Sequence, residues 1–242
     1  MASVGGNSGT TLGEQRLIAL QFAADLWGVE LDSPLSIEIQ AGFVVDGICG
    51  ALAGAGPLAV HRDFLGAPVV NAWYPAALAN KLAGIDLSST HDITVAFNSN
   101  SCLVWYYGLD ASPPSGAIDF VATALHELGH GLGFLSYVDT STGAWGLDIP
   151  DIFSRNMIQP GVGPITSMTN AQRLTAMQAG EVFWDGGHVV AAHGGNAQMD
   201  PWLSHWHSLL KPEAMIPFYT GPNHEPGLAL AALRELESPA DD

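Results

Sequence analysis

Apolar and polar residues change rhythm along this chain, and the changes mark out alternating helices and strands. From Arg16 to Trp27 the apolar positions Leu17, Leu20, Phe22, Ala23 and Leu26 recur at helical spacing. The preceding Thr11-Leu-Gly-Glu14 has the form of a capping box, which predicts a helix start there. Leu35-Ser-Ile-Glu-Ile-Gln40 alternates apolar with polar, the period of a half-buried strand. Gly-rich loops are predicted from Gly47 to Gly56, a second strand at Val69 to Trp73, and a short helix from Pro75 to Leu82 that stops near Gly84. Asp92-Ile-Thr-Val-Ala-Phe97 and Leu103-Val-Trp-Tyr-Tyr107 read as further strands. Asp119-Phe-Val-Ala-Thr-Ala-Leu125 reads as a buried helix with Asp119 as its N-cap. After residue 140 the chain turns loop-rich, with helices predicted at Thr169 to Gly180 and at Leu228 to Leu236. The order is that of an α/β (α+β) fold without internal repeats.

A chain of 242 residues, 48% of them hydrophobic, can bury one substantial core. The organisation expected is a flexible polar N-terminus at 1–10, a single domain at 11–236 and an acidic tail from Glu237 to Asp242. No stretch approaches the ~18 to 20 consecutive apolar residues of a membrane span. Seven Lys plus Arg against 24 Asp plus Glu give a net charge of −17. Such a surface argues against nucleic acid and anionic membranes as partners, and would suit saline surroundings whose counterions screen self-repulsion. Asp139, Asp148 and Asp151 could offer oxygens to Ca2+. They match no EF-hand pattern, and solvated surface charge is the simpler reading.

The chemistry concentrates in His126-Glu-Leu-Gly-His-Gly-Leu-Gly-Phe134. Residues four apart lie one above the other on a helix, so His126 and His130 can point their imidazoles at one metal ion. Glu127 sits beside the first ligand, where its carboxylate can take a proton from a water activated by the metal. Two histidines on an ordinary core helix are the alternative. Gly131 and Gly133 are poor helix formers, so the helix is predicted to stop near Gly133 and the chain to turn beneath the metal.

The metzincin metallopeptidases carry His-Glu-x-x-His-x-x-Gly-x-x-His followed by a methionine turn. This chain matches through Gly133 and then departs, because the third histidine would fall at Ser136, a poor zinc ligand. The downstream candidates are His188, His193, His205, His207 and His224. Among them Leu203-Ser-His-Trp-His-Ser-Leu-Leu-Lys-Pro-Glu-Ala-Met-Ile-Pro217 resembles the leishmanolysin-like branch of the metzincins, in which an insertion separates the second and third zinc histidines. Spacing alone leaves His205 and His207 open. The resemblance singles out His205 as third ligand and Met215 as turn methionine. Asp63-Phe-Leu-Gly-Ala-Pro68, Asn71-Ala-Trp-Tyr-Pro75, Phe97-Asn-Ser-Asn100 and Glu225-Pro-Gly-Leu-Ala-Leu-Ala-Ala-Leu-Arg234 are similar to secreted bacterial peptidases with the same core motif. The likeness runs from about residue 10 to 236.

That resemblance implies a two-lobed zincin: an upper lobe at about 11–134 with a mixed twisted sheet and the zinc helix, and a loop-rich lower lobe at about 135–236. It implies one catalytic Zn2+ on His126, His130 and His205, and a protein or peptide substrate cleaved with Glu127 as general base and acid. The edge strand beside the cleft would pair with extended substrate, and Ile93 to Asn98 is the segment expected there. In some metzincins a tyrosine past the turn supplies an oxyanion donor. Tyr219 is the candidate here, with a packed structural role as its simpler reading. The start of the chain has no signal-peptide pattern, which read plainly means cytosolic. The secreted relatives favour instead an extracellular protein whose signal and pro-segment have been removed. Cys49 and Cys102, the only cysteines, are expected as a disulfide rather than two buried thiols. A monomer is the expected state.

Three other readings remain at this point. A gluzincin-type peptidase would use Glu181 as its third ligand. A non-catalytic binding module would keep zinc for structure, although such sites are usually closed by four protein ligands. A metal-dependent hydrolase could also act on something other than peptides.

Overall fold

Thr11 opens the first helix through a complete capping box. Its side chain accepts from Glu14 N at 3.2 Å and the Glu14 carboxylate returns to Thr11 N at 3.1 Å, so α1 runs Leu12–Gly28. The structure is a computed structural model that describes residues 2–45 and 49–237. The acidic tail expected at Glu237 to Asp242 therefore lies, beyond Glu237, outside the described residues. The polar start is held in place more than a flexible arm would be. Asn7 is fully buried, with its amide donating to Gln15 O and Tyr107 O at 2.9 and 2.8 Å.

The face that α1 buries is Gln15, Ala19, Ala23 and Trp27, whereas Leu17 is 66% exposed. Small residues at i and i+4 let two helices approach closely, so the alanines and not the leucines mark the packed stripe.

The next elements are β1 (Ile39–Val44), β2 (Ala53–Pro57), β3 (Val60–His61), β4 (Tyr74–Pro75), α2 (Ala76–Ala83), β5 (Ile93–Asn98), β6 (Trp105–Tyr106), β7 (Ile118–Asp119) and α3 (Phe120–Leu132). Their main sheet has the order β1-β5-β2, with β1 parallel and β2 antiparallel to the centre. Ile93, Val95 and Phe97 of β5 are buried, and Phe97 packs on Phe120 at the start of α3 with ring centroids 4.6 Å apart.

Several boundaries differ from the sequence pattern. The strand expected at Leu35 to Gln40 begins at Ile39 and continues to Val44, because its register is dictated by pairing with β5. The Gly-rich segment expected as loop contains β2, whose Ala-Gly-Ala-Gly-Pro has no strand propensity of its own and is extended by pairing with β5. Val69 to Trp73 is not a strand, and Trp73 makes only an isolated bridge to Asp151. Of Leu103 to Tyr107 only β6 pairs, in parallel with β7.

After α3 follow β8 (Met157–Gln159), β9 (Gly163–Pro164), α4 (Asn170–Gln178), β10 (Phe183–Trp184), α5 (Gly187–His193), β11 (Ala197–Gln198) and α6 (Leu228–Glu235). The four short strands form a second sheet in the order β11-β10-β8-β9, and neither this sheet nor α5 shows in the hydrophobic pattern. Strands of two or three residues are too short to carry a period. Phe134, Phe153, Trp184 and Trp206 pack edge to face with centroids 4.7 to 6.0 Å apart. This aromatic cluster belongs to the same buried core as the main sheet. The architecture is α+β.

Candidate metal centre and its cleft

Asp119 caps α3, its carboxylate accepting from Ala122 N at 2.8 Å. The helix ends at Gly133, whose φ of 118° an L side chain would resist, and where a Cβ would also meet Pro75 Cγ. Between these caps, His126 and His130 lie one turn apart with ring centroids 4.8 Å apart. Gly129 between them gives α3 its close approach to the residue below. A Cβ there would stand 2.5 Å from Met215 Sδ. Met215 is fully buried, so its thioether forms an apolar floor under the two histidines.

The third histidine comes from a turn after β11. Trp206 is fully buried, its N donates to Met215 O at 2.7 Å, and Asp200 N donates to His205 O at 2.9 Å. Between those anchors the His205 ring is presented to α3. His130 Nε2 lies 3.1 Å from His126 Nε2 and 3.2 Å from His205 Nε2. These are the only three residues among those described that bring potential metal ligands together.

The tautomers follow from the opposite ring edges. His126 Nδ1 is 2.8 Å from Ala214 O and His130 Nδ1 is 2.9 Å from Phe134 O. A carbonyl oxygen only accepts, so both Nδ1 atoms carry the proton and both Nε2 atoms present a lone pair. His205 Nδ1 faces the Asp200 carboxylate at 3.1 Å, with Ser204 Oγ also at 3.1 Å, which sets the same tautomer. Burial lowers the His126 pKa to about 4, with the neighbouring His205 adding to the effect. Burial, then His126 and His205, hold that of His130 well below the usual value. Three Nε2 atoms therefore converge, each with its opposite ring edge already engaged, an arrangement that a cation satisfies. Ligands at ~2.0 to 2.1 Å from a tetrahedral zinc would stand about 3.3 Å from one another, close to the spacings here.

Glu127 is 6% exposed and lines the same cleft, and desolvation raises its pKa to about 7. The cleft has a volume of about 830 Å3 and runs from Gly50–Ala55, across α3, to Pro217–Tyr219. The strand that flanks it is β2, at the sheet edge. Ile93 to Asn98, expected as that edge, is instead the central strand, because both β1 and β2 pair with it.

The remaining candidates lie elsewhere. His207 Nδ1 accepts from Leu209 N, His193 Nδ1 faces Gly195 O, and His224 Nε2 lies 3.0 Å from Asp119 Oδ1. His188 is exposed on α5. Glu181 is also exposed and accepts from Gln159 Nε2 at 2.6 Å, apart from the histidine cluster. Tyr219 is a wall residue: its hydroxyl accepts from Asp119 N at 3.0 Å, roughly 10 Å along the helix from His126 at 1.5 Å per residue. Asp139, Asp148 and Asp151 form no common site. Asp139 holds the turn at Ser141, Asp148 faces Arg62, and Asp151 is buried under Tyr137 N and Ser154. Asp200 is the functional residue that sequence reasoning missed. Nothing periodic links a carboxylate five residues upstream to the histidine it orients.

Cys49 and Cys102 form a disulfide with Cα atoms 6.1 Å apart, pinning the segment that enters the cleft before β2. Among the described residues no helix is long and apolar enough to cross a membrane.

A family model described as SPBPB7E8-like matches residues 69–190, half of the chain, including α3 with its two histidines and Glu127. No curated protein and no solved structure matches the chain.

Proposed function

The chain belongs to the SPBPB7E8-like family, a name that carries no activity, and from the site itself we propose that it is a zinc-dependent endopeptidase. The observation that carries this reading is the convergence of three imidazole Nε2 atoms, each with its Nδ1 engaged, at the floor of an open cleft beside a buried carboxylate. His126, His130 and His205 would hold the ion. Three protein ligands leave a fourth position open, as catalytic zinc sites require and structural ones usually do not.

Zinc bound there would supply a Lewis acid, polarising the scissile carbonyl and bringing the pKa of water towards ~7. Glu127 takes the proton of the attacking water and passes it to the departing amine. Its apolar surroundings keep that carboxylate ready to hold a proton near neutrality. Edge strand β2 offers backbone groups along the cleft, where an extended peptide can add as a further strand.

Within this proposal the fold is the two-lobed metzincin arrangement of the leishmanolysin-like branch, with Met215 as the turn methionine. An exposed disulfide fits an oxidising, extracellular location. The gluzincin alternative has little support, since Glu181 is committed to Gln159. A closed structural zinc site would not open onto a cleft of this size or bury an acid beside it.

Hydrolysis of unfolded casein tests the reading, with Glu127→Ala as matched control. Cleavage by the parent that disappears in a variant still holding stoichiometric zinc is the result expected. Zinc binding without cleavage of any peptide would overturn the endopeptidase reading.

A further inference from the structure

The ligands leave unexplained how the far wall of the cleft is held. Among the described residues, none from Ile216 to Pro226 makes a backbone-to-backbone hydrogen bond, yet Pro217 to Tyr219 line the cleft beside the helix. Side chains must position this segment, and two of the contacts converge on one residue. The Tyr219 hydroxyl accepts from Asp119 N at 3.0 Å, and His224 Nε2 lies 3.0 Å from Asp119 Oδ1. We propose that Asp119, Tyr219 and His224 form a latch that fixes the cleft wall against the start of α3, making all three positioning residues for peptide binding. What the cleft holds is taken from the endopeptidase reading.

Asp119 is fully buried, and its Oδ2 has no hydrogen-bond partner among the described residues. Capping the helix uses one oxygen and one N–H. A buried carboxylate left with that single donor would be costly, so the His224 contact is strongly favoured and not an incidental surface pairing. The His224 ring is seated in turn, 14% exposed and edge-on to Phe22 of α1 with centroids 6.0 Å apart. Asn223 Nδ2 adds a tie to Pro212 O at 2.7 Å. Between these ties Phe218 stays 63% exposed and Tyr219 38% exposed. Large rings held open at a cleft rim by a buried anchor present a fixed apolar surface to whatever enters.

The geometry also separates the latch from the metal. Asp119 lies seven positions before His126, so loosening it shifts the wall while the three imidazoles keep their own anchors. Weaker binding of substrates that reach the wall is the expected consequence, with the bond-breaking step little changed.

Three variants test this: Tyr219→Phe, which keeps the ring and loses the acceptor; His224→Ala; and His224→Gln, whose amide can still donate to Asp119. Each is read by amide hydrogen exchange over residues 217–223, by zinc content, and by KM and kcat on a peptide that crosses the cleft and on a short one that does not. Tyr219→Phe and His224→Ala should exchange faster in that segment with zinc retained. They should raise KM about fivefold for the long peptide alone, with kcat within about twofold. His224→Gln should recover most of the loss, which a general loss of stability would not permit. Unchanged exchange in both Tyr219→Phe and His224→Ala overturns the latch whatever the activity. Faster exchange with equal KM changes on the two peptides overturns its role in binding. If the parent cleaves no peptide, the endopeptidase reading fails and the exchange data still decide the latch.

Discussion

Asp200 Oδ2 lies 3.1 Å from His205 Nδ1, and the carboxylate is 3% exposed. Its other oxygen receives the backbone N–H groups of Ser204 and His205, both at 3.3 Å. One side chain thus orients the third imidazole and shapes the turn that delivers it.

Asp200→Asn should therefore weaken zinc binding by about 10- to 100-fold, the usual effect of losing an outer-shell carboxylate. Competition with a chromogenic chelator measures it, and activity should return partly as free zinc is raised. Wild-type affinity in this variant would remove Asp200 from the site.

The metal-free protein should lose stability on mild acidification. His126 has its pKa lowered to about 4 by burial, against 6.5 for the exposed side chain, and His130 shifts in the same direction. Between those values the unfolded chain binds protons that the folded one excludes, so folding weakens as pH falls through the window. Thermal unfolding of chelator-treated protein from pH 7 to 4.5 should show a steeper fall in Tm than His126→Gln does. Parallel profiles would refute the linkage.

Gly129→Ala should destabilise the fold by about 1 to 3 kcal/mol, because the added methyl meets Met215 Sδ in a packed floor. Combining it with Met215→Ala should recover part of that loss, since the two changes share one space. Denaturant unfolding of the single and double variants supplies the cycle. Simple additivity would mean that the thioether does not press on Gly129.

Replacing both cysteines with serine should cost about 4 kcal/mol in the loop-entropy account, given a sequence separation of 53. Because Gly50 to Ala55 line the cleft, KM should rise as well. Calorimetry and peptide kinetics on the double variant check the two effects separately. A protein with wild-type Tm would show that the pairing does little for the folded state.

Much of the local structure was legible in the residues. Thr11 with Glu14, Asp119 and Gly133 mark helix ends because capping depends on residues within one turn. The same locality explains why His126, Glu127 and His130 stood out. The placement of β2 was not legible, since a run of alanine and glycine has no period and becomes a strand only by pairing with β5. Leu17 misled because chain hydrophobicity does not tell which face of α1 meets α3.

By itself the sequence determined the helix that carries two imidazoles and a carboxylate, along with the caps that end it, because those relations act over three or four residues. The resemblance pointed to His205, but only the tertiary structure brought it within 3.2 Å of His130, supplied Asp200 behind it and tied Tyr219 and His224 to Asp119. These contacts join residues up to 105 positions apart. Long-range partners are chosen by packing and by the need to satisfy buried polar groups, and neither leaves a periodic trace along the chain.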